Sequence, residues 1–215
     1  MLVIIIALLA TILLYQRSRK SNEQLQVGWT NIAAARMSIE QLAASPRVGQ
    51  GMPAEQINLR QQLANNVNGA LNSILAAGDR QLAAEANLLR GDLNWTLANL
   101  PEIPGAATRP ALRMPSATSE YLTVAEESYR RVTNTYSDQK FSVAAARFGL
   151  AAIAENRGQW EIAATIYKSV KDDSNTITAY KALADRQLAA IDVVRSAIYL
   201  VPTTQPASSP TTRTN

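Results

Sequence analysis

The sequence predicts an all-α protein, and three observations carry that prediction. Apolar residues recur at steps of three, four and seven through most of the chain, the period of helices that bury one stripe. Alanine is abundant and glycine scarce, with only 9 glycines in 215 residues; alanine loses no rotamer freedom on entering a helix. No segment alternates apolar and polar residues well enough to compete as a strand.

The first element, "MLVIIIALLATILLY" followed by "QRSRK", reads as a membrane anchor over residues 1–16. A signal peptide would need a charged leading region and a small-x-small cleavage site, and both are missing. A buried soluble helix would show a polar face, and only Thr11 is polar. The apolar run reaches about 22 Å against a hydrocarbon core of roughly 30 Å. The anchor is therefore expected to thin the bilayer locally or to gain residues from an earlier start. Arg17, Arg19 and Lys20 follow it directly. By the positive-inside rule they hold everything after them in the cytoplasm. An upstream start encoding a basic segment would change that comparison, so the orientation stays open.

Residues 17–53 form a juxtamembrane helix and loop. Leu25, Trp29, Ile32, Ile39 and Leu42 mark one face of a helix continuous with the apolar run. "SPRVGQGMP" (45–53) ends it with two prolines and two glycines. Residues 54–200 form the main domain. Its first helix, 54–77, presents Leu59, Leu63, Val67, Leu71 and Ile74. Gly78 is placed to end it in a left-handed turn, and Asp79 to cap the next. That next helix, 80–99, presents Leu82, Ala86, Leu89, Leu93 and Leu97. A loop with four prolines covers 100–117. Helices then follow at 118–135, 140–156, 159–171 and 177–199. The tail, 201–215, has too little apolar surface to offset its ordering entropy and is expected to be disordered.

Two stretches repeat each other. Ala125, Tyr129 and Val132 recur as Ala163, Tyr167 and Val170, 38 residues on. "LLRGDLNWTLAN" lies over "ARFGLAAIAENR", aligned on Gly91 and Gly149. This second offset is larger by about twenty, about the length of the proline-rich loop, so two copies of a helical hairpin are expected. Antiparallel helices approach to about 8–10 Å where small side chains meet. Ala151 and Ala163 supply that meeting point, Gly158 the reversal, and Tyr167 and Val170 the filling toward the next hairpin.

Leu150-Ala151, Ala154, Gly158, Ala163 and Tyr167 resemble the signature of the tetratricopeptide repeat. Arg147 stands where that family usually has Trp, and Asn175 where it usually has Pro. The order of parts carries a narrower resemblance over roughly residues 5–200. An anchor ending "YQRSRK" leads to "GWTNIAAAR", "AAEANLLRGDL", "YRRV" and "ARFGLAAIAENRGQWEIAATIYKSV". This layout is similar to the membrane-anchored tetratricopeptide proteins related to the ancillary subunit of the bacterial SecYEG translocon. The resemblance implies a cytoplasmic N-terminus, one crossing of the inner membrane and a periplasmic repeat domain. It also implies a chaperone-like or scaffolding role beside translocation or envelope components. A concave peptide groove would then be lined by Arg90, Asn94, Phe148, Ala152, Glu155 and Asn156.

Chemistry is sparse. Without cysteine or histidine the chain lacks thiol nucleophiles, disulfides, imidazole acid–base groups and ordinary zinc or haem ligands. Glu126-Glu127 and Asp172-Asp173 are adjacent pairs whose members diverge by about 100° on a helix. "GQG" (49–51) lacks the strand, the third glycine and the lysine of a phosphate loop. "NWT" (94–96) sits mid-helix, where a glycosylation acceptor is out of place. Trp95 and Trp160 read as packing residues. Net charge is +4, and three of the positives flank the apolar run. With no basic face interleaved with aromatics, no nucleic-acid partner is expected.

Three functions compete at this level. The first is a non-enzymatic, membrane-tethered module that binds other proteins or extended peptides. The second is a self-associating scaffold paired through the Leu25 to Leu42 face. The third is an enzyme with a pocket at the 100–117 loop and a perturbed carboxylate beside it. The residues favour the first, with no cofactor and no metal.

Overall fold

The computed structural model describes residues 2–44, 53–101, 114 and 116–195, and the side-chain surroundings within 22–44, 55–101, 114 and 116–194. The described residues form seven helices and no strand. They are α1 (Leu2–Ala43), α2 (Pro53–Ala77), α3 (Arg80–Asn99), α4 (Thr118–Thr135), α5 (Lys140–Asn156), α6 (Trp160–Asp172) and α7 (Thr178–Arg195).

The all-α expectation holds, and α1 is one unbroken helix of 42 residues. Among the described residues no helix is long and apolar enough to cross a membrane. The anchor read at 1–16 lies outside the residues whose side chains are described, as do Arg17, Arg19 and Lys20. The tail at 201–215 and most of the 100–117 loop are likewise outside the described residues.

Two layers build the domain. Polar and packing contacts pair Arg36 with Glu85, Glu85 with Ser142, Asn99 with Asn156, and Phe148 with Tyr180. These place α1, α3, α5 and α7 side by side and parallel in an inner layer. The outer layer, α2, α4 and α6, runs the other way; Arg80 at the start of α3 reaches Thr135 O at the end of α4 and Asp138 in the turn beyond it. Short turns force the reversal after α2, α4, α5 and α6, because a few residues can only return the chain alongside itself.

The turns use the expected residues. Gly78 has φ +77 and Gly158 φ +69, a region that a Cβ makes costly. Asp79 Oδ1 accepts the Leu82 N–H at 2.8 Å. After α5, the Gly158 N–H reaches Glu155 O and the Gln159 N–H reaches Ala154 O, each at 2.8 Å. That pair of bonds satisfies the last carbonyls of the helix.

Burial corrects two faces. On α1 the inward stripe is Leu25, Gly28, Ile32, Ala35, Ile39 and Leu42, and Trp29 is 40% exposed. Gly28 lies on the seam because a Cβ there would strike the Leu82 side chain of α3; the tryptophan one residue on is turned about 100° away. On α2 the stripe runs through Ile57, Arg60, Ala64, Val67, Leu71 and Ile74, leaving Leu59 47% exposed. Apart from Trp29, the Leu25 to Leu42 face is covered by α2 and α3 of the same chain.

Candidate functional site

The inner layer encloses a hollow of about 590 Å³ among the described residues. From α1 come Trp29, Ile32, Ala33, Arg36, Met37 and Glu40; from α3, Glu85 and Leu88. Phe141 and Ala145 of α5 and Tyr180 of α7 complete it. The α1 residues follow a helical period, forming a second stripe beside the buried one. Met37 is 59% and Phe141 63% exposed, so the rim offers large apolar groups to solvent.

The floor is polar. Glu85 is half-buried and uses both oxygens: Ser142 Oγ donates to Oε1 at 2.7 Å, and Arg36 Nη2 donates to Oε2 at 3.2 Å. Behind it, Tyr129 OH donates to Asp92 Oδ1 at 2.8 Å. Burial raises the Asp92 carboxyl above its usual range, against the pull of the Tyr129 hydrogen bond and the Arg36 charge. Tyr129 itself is raised, first by burial and then by the Asp92 charge. Tyr180 is raised by burial and by Glu85, with Arg36 opposing.

Small residues set the packing of α4 against α3 and α5. The Tyr129 ring reaches in from α4 between Gly91 of α3 and Gly149 of α5, and a Cβ on either glycine would strike ring carbons. Ala125 and Val132 are fully buried on the same face of α4. Ala163, Tyr167 and Val170 occupy the matching face of α6 and are equally buried. There Ala151 meets Ala163 in one core, and the Phe148 ring lies 5.3 Å from Tyr167 and 5.7 Å from Tyr180. Tyr167 hydrogen-bonds Glu155, and burial together with that carboxylate raises its hydroxyl.

The six residues expected to line a groove do not share one surface. Arg90 points toward the outer layer, where its Nη2 donates to Asn72 Oδ1 at 2.7 Å, and burial and then Arg131 lower its guanidinium. Asn94 is buried and donates to Arg90 O at 2.8 Å. Phe148 and Glu155 come together around Tyr167, Ala152 is half-buried, and Asn156 donates to Asn99 at 3.0 Å. On α3 the inner residues are Glu85 and Leu88; Arg90 stands about 200° round from Leu88. The Trp29, Ala33, Arg36, Met37, Glu40 stripe is the sequence signal for the hollow. Among the described residues no three His, Cys, Asp or Glu side chains converge as a metal would require. No family model matches the chain, and no curated protein or solved structure matches it.

Proposed function

We propose that this chain is a non-enzymatic protein-interaction module that holds an extended segment of another protein in the inner-layer hollow. One observation carries the reading: Trp29, Met37 and Phe141 stand exposed around a hydrogen-bonded polar floor. Exposed large apolar groups gathered on a concave face mark a surface that gains by being covered. The parallel inner layer, the matched burial of Tyr129 and Tyr167 and the Gly158 turn support the tetratricopeptide resemblance. With residues 1–16 as its tether, the module would sit at a bacterial inner membrane, in a chaperone-like or scaffolding role beside translocation or envelope components.

The test uses the full chain in detergent micelles and a fluorescein-labelled extended peptide of leucines spaced by serine and glycine. Saturable binding that Phe141→Ser weakens and Ile162→Ser does not is the expected result, because Ile162 is exposed on α6 of the outer layer. Equal sensitivity at both positions would sink the groove reading. The absence of cysteine gives the topology test. Ser208→Cys should react with a membrane-impermeant maleimide once only the outer membrane is permeable. Protection until the inner membrane is lysed would move the domain to the cytoplasm and remove the secretion role.

A further inference from the structure

We infer that the segment taken by the hollow carries a lysine or arginine flanked by apolar residues; this rests on the groove reading above. The whole chain is +4, yet the hollow is lined by one cation, Arg36, and two carboxylates, Glu40 and Glu85. Its ionised side chains therefore sum to minus one, opposite in sign to the chain. An acidic occupant would meet two like charges and one opposite, and a basic one two opposite and one like.

Glu85 is fixed for such a guest. Ser142 holds Oε1 at 2.7 Å, and the side chain is only 16% exposed. A carboxylate offers about four lone-pair sites, so two bonds leave room. Arg36 is the weak member: its contact is 3.2 Å and its side chain is 54% exposed, the kind of pair that contributes little in water. Its guanidinium stands where a guest cation would bind, and the guest displaces it. Glu40 lies one turn along α1, exposed, and its carboxylate has no partner among the described residues. Trp29 and Phe141 then cover the flanking apolar residues, and an indole face also attracts a cation.

The experiment compares three labelled peptides of the same leucine-spaced design, differing only in a central Lys, Gln or Glu. Each is titrated into the full chain in micelles and read by anisotropy, with circular dichroism to check folding. The Lys peptide should bind about fivefold tighter than the Gln peptide, and the Glu peptide weakest. Arg36→Gln should tighten the Lys peptide by about threefold more, by removing the internal competitor. Glu85→Gln and Glu40→Gln should each reduce the Lys preference and leave the Gln peptide unchanged. Equal binding of all three peptides, still sensitive to Phe141→Ser, would overturn the charge inference and leave the groove reading standing. Arg36→Gln weakening binding, with the Glu peptide tightest, would overturn it in favour of an acidic segment. No binding by any peptide, with a dimer that Phe141→Ser disperses, would overturn both readings in favour of a second copy.

Discussion

The Tyr129 hydroxyl and the Asp92 carboxylate are joined by a 2.8 Å hydrogen bond across α3 and α4. The Asp92 carboxyl also feels the charges of Arg36 and Glu85, so packing of the two layers is coupled to the charge of the hollow. Tyr129→Phe leaves the half-buried Asp92 short of its donor. It should cost about 1–3 kcal/mol, read from the urea midpoint, and the cost should shrink in an Asp92→Asn background.

Asp92 also fixes a pH slope. Its folded pKa is raised by burial, so the folded chain holds a proton that the unfolded chain releases near the ordinary value of about 3.9. Between that value and the raised one, the unfolded state binds fewer protons, and stability falls as pH rises. Asp138 acts oppositely. Hydrogen bonds from Arg80 hold it down to about 2, and its contribution is lost as pH falls from the ordinary carboxylate range toward that value. Asp92→Asn should remove the falling limb and leave the acid limb, as measured by unfolding across the acid range. An unchanged falling limb would assign it to another group.

Three glycines separate close approach from simple helix propensity. Gly91→Ala and Gly149→Ala each place a methyl group against the Tyr129 ring, and overpacking of this kind costs about 1–3 kcal/mol. Gly69 on α2 faces open space, where an added methyl group would meet no atom within 4 Å. Gly69→Ala should therefore stabilise by about 0.5–1 kcal/mol. Thermal melts of the three variants give the comparison, and the same sign for all three would contradict the packing described.

Phe141→Ser should separate binding from folding. At 63% exposed, the side chain contributes within about 0.5 kcal/mol to stability. Its loss should weaken peptide binding about tenfold, as expected for one aromatic anchor. Calorimetric unfolding alongside anisotropy checks both halves.

Phe148 bridges α5 to Tyr167 of α6 and Tyr180 of α7. Phe148→Ala should cost about 3 kcal/mol, near the lower end for a truncated ring because the side chain is only half-buried. The loss should fall first on α7, where amide hydrogen exchange would quicken ahead of α3.

Local chemistry was the legible part of this fold. Gly78, Asp79 and Gly158 announce their turns because left-handed backbone and N-capping each admit few residues. Ala125, Tyr129, Val132 and their counterparts 38 residues later announce equivalent packing because separation between helices is set by side-chain size. The faces were harder to read where a polar residue is buried. Arg60 lies 4% exposed on the inward stripe of α2, donating to Pro101 O at 2.9 Å, and its charge diverts an apolar reading toward Leu59. Gly28 hides the seam of α1 in the same way, since a missing side chain carries no hydrophobic signal and Trp29 beside it does. Spacing points to Arg90 and Asn94 on α3 rather than Glu85 and Leu88, because the lining depends on which side of α3 meets α1 and α5. Contacts between distant segments decide that, and spacing within α3 does not.

The unbroken course of α1 makes it a spacer with a phase. From Gln16 to Trp29 the same helix continues, and those residues rise about 20 Å. Were the apolar run held in a bilayer, as proposed above, the mouth of the hollow would stand at a set height above the lipid and face a set compass direction. One inserted residue in the 17–20 stretch would turn that mouth by about 100° while lifting it only about 1.5 Å. Seven would lift it by about 10 Å and return it nearly to its original bearing. Partner capture that survives seven added residues but not two would show that direction matters more than reach.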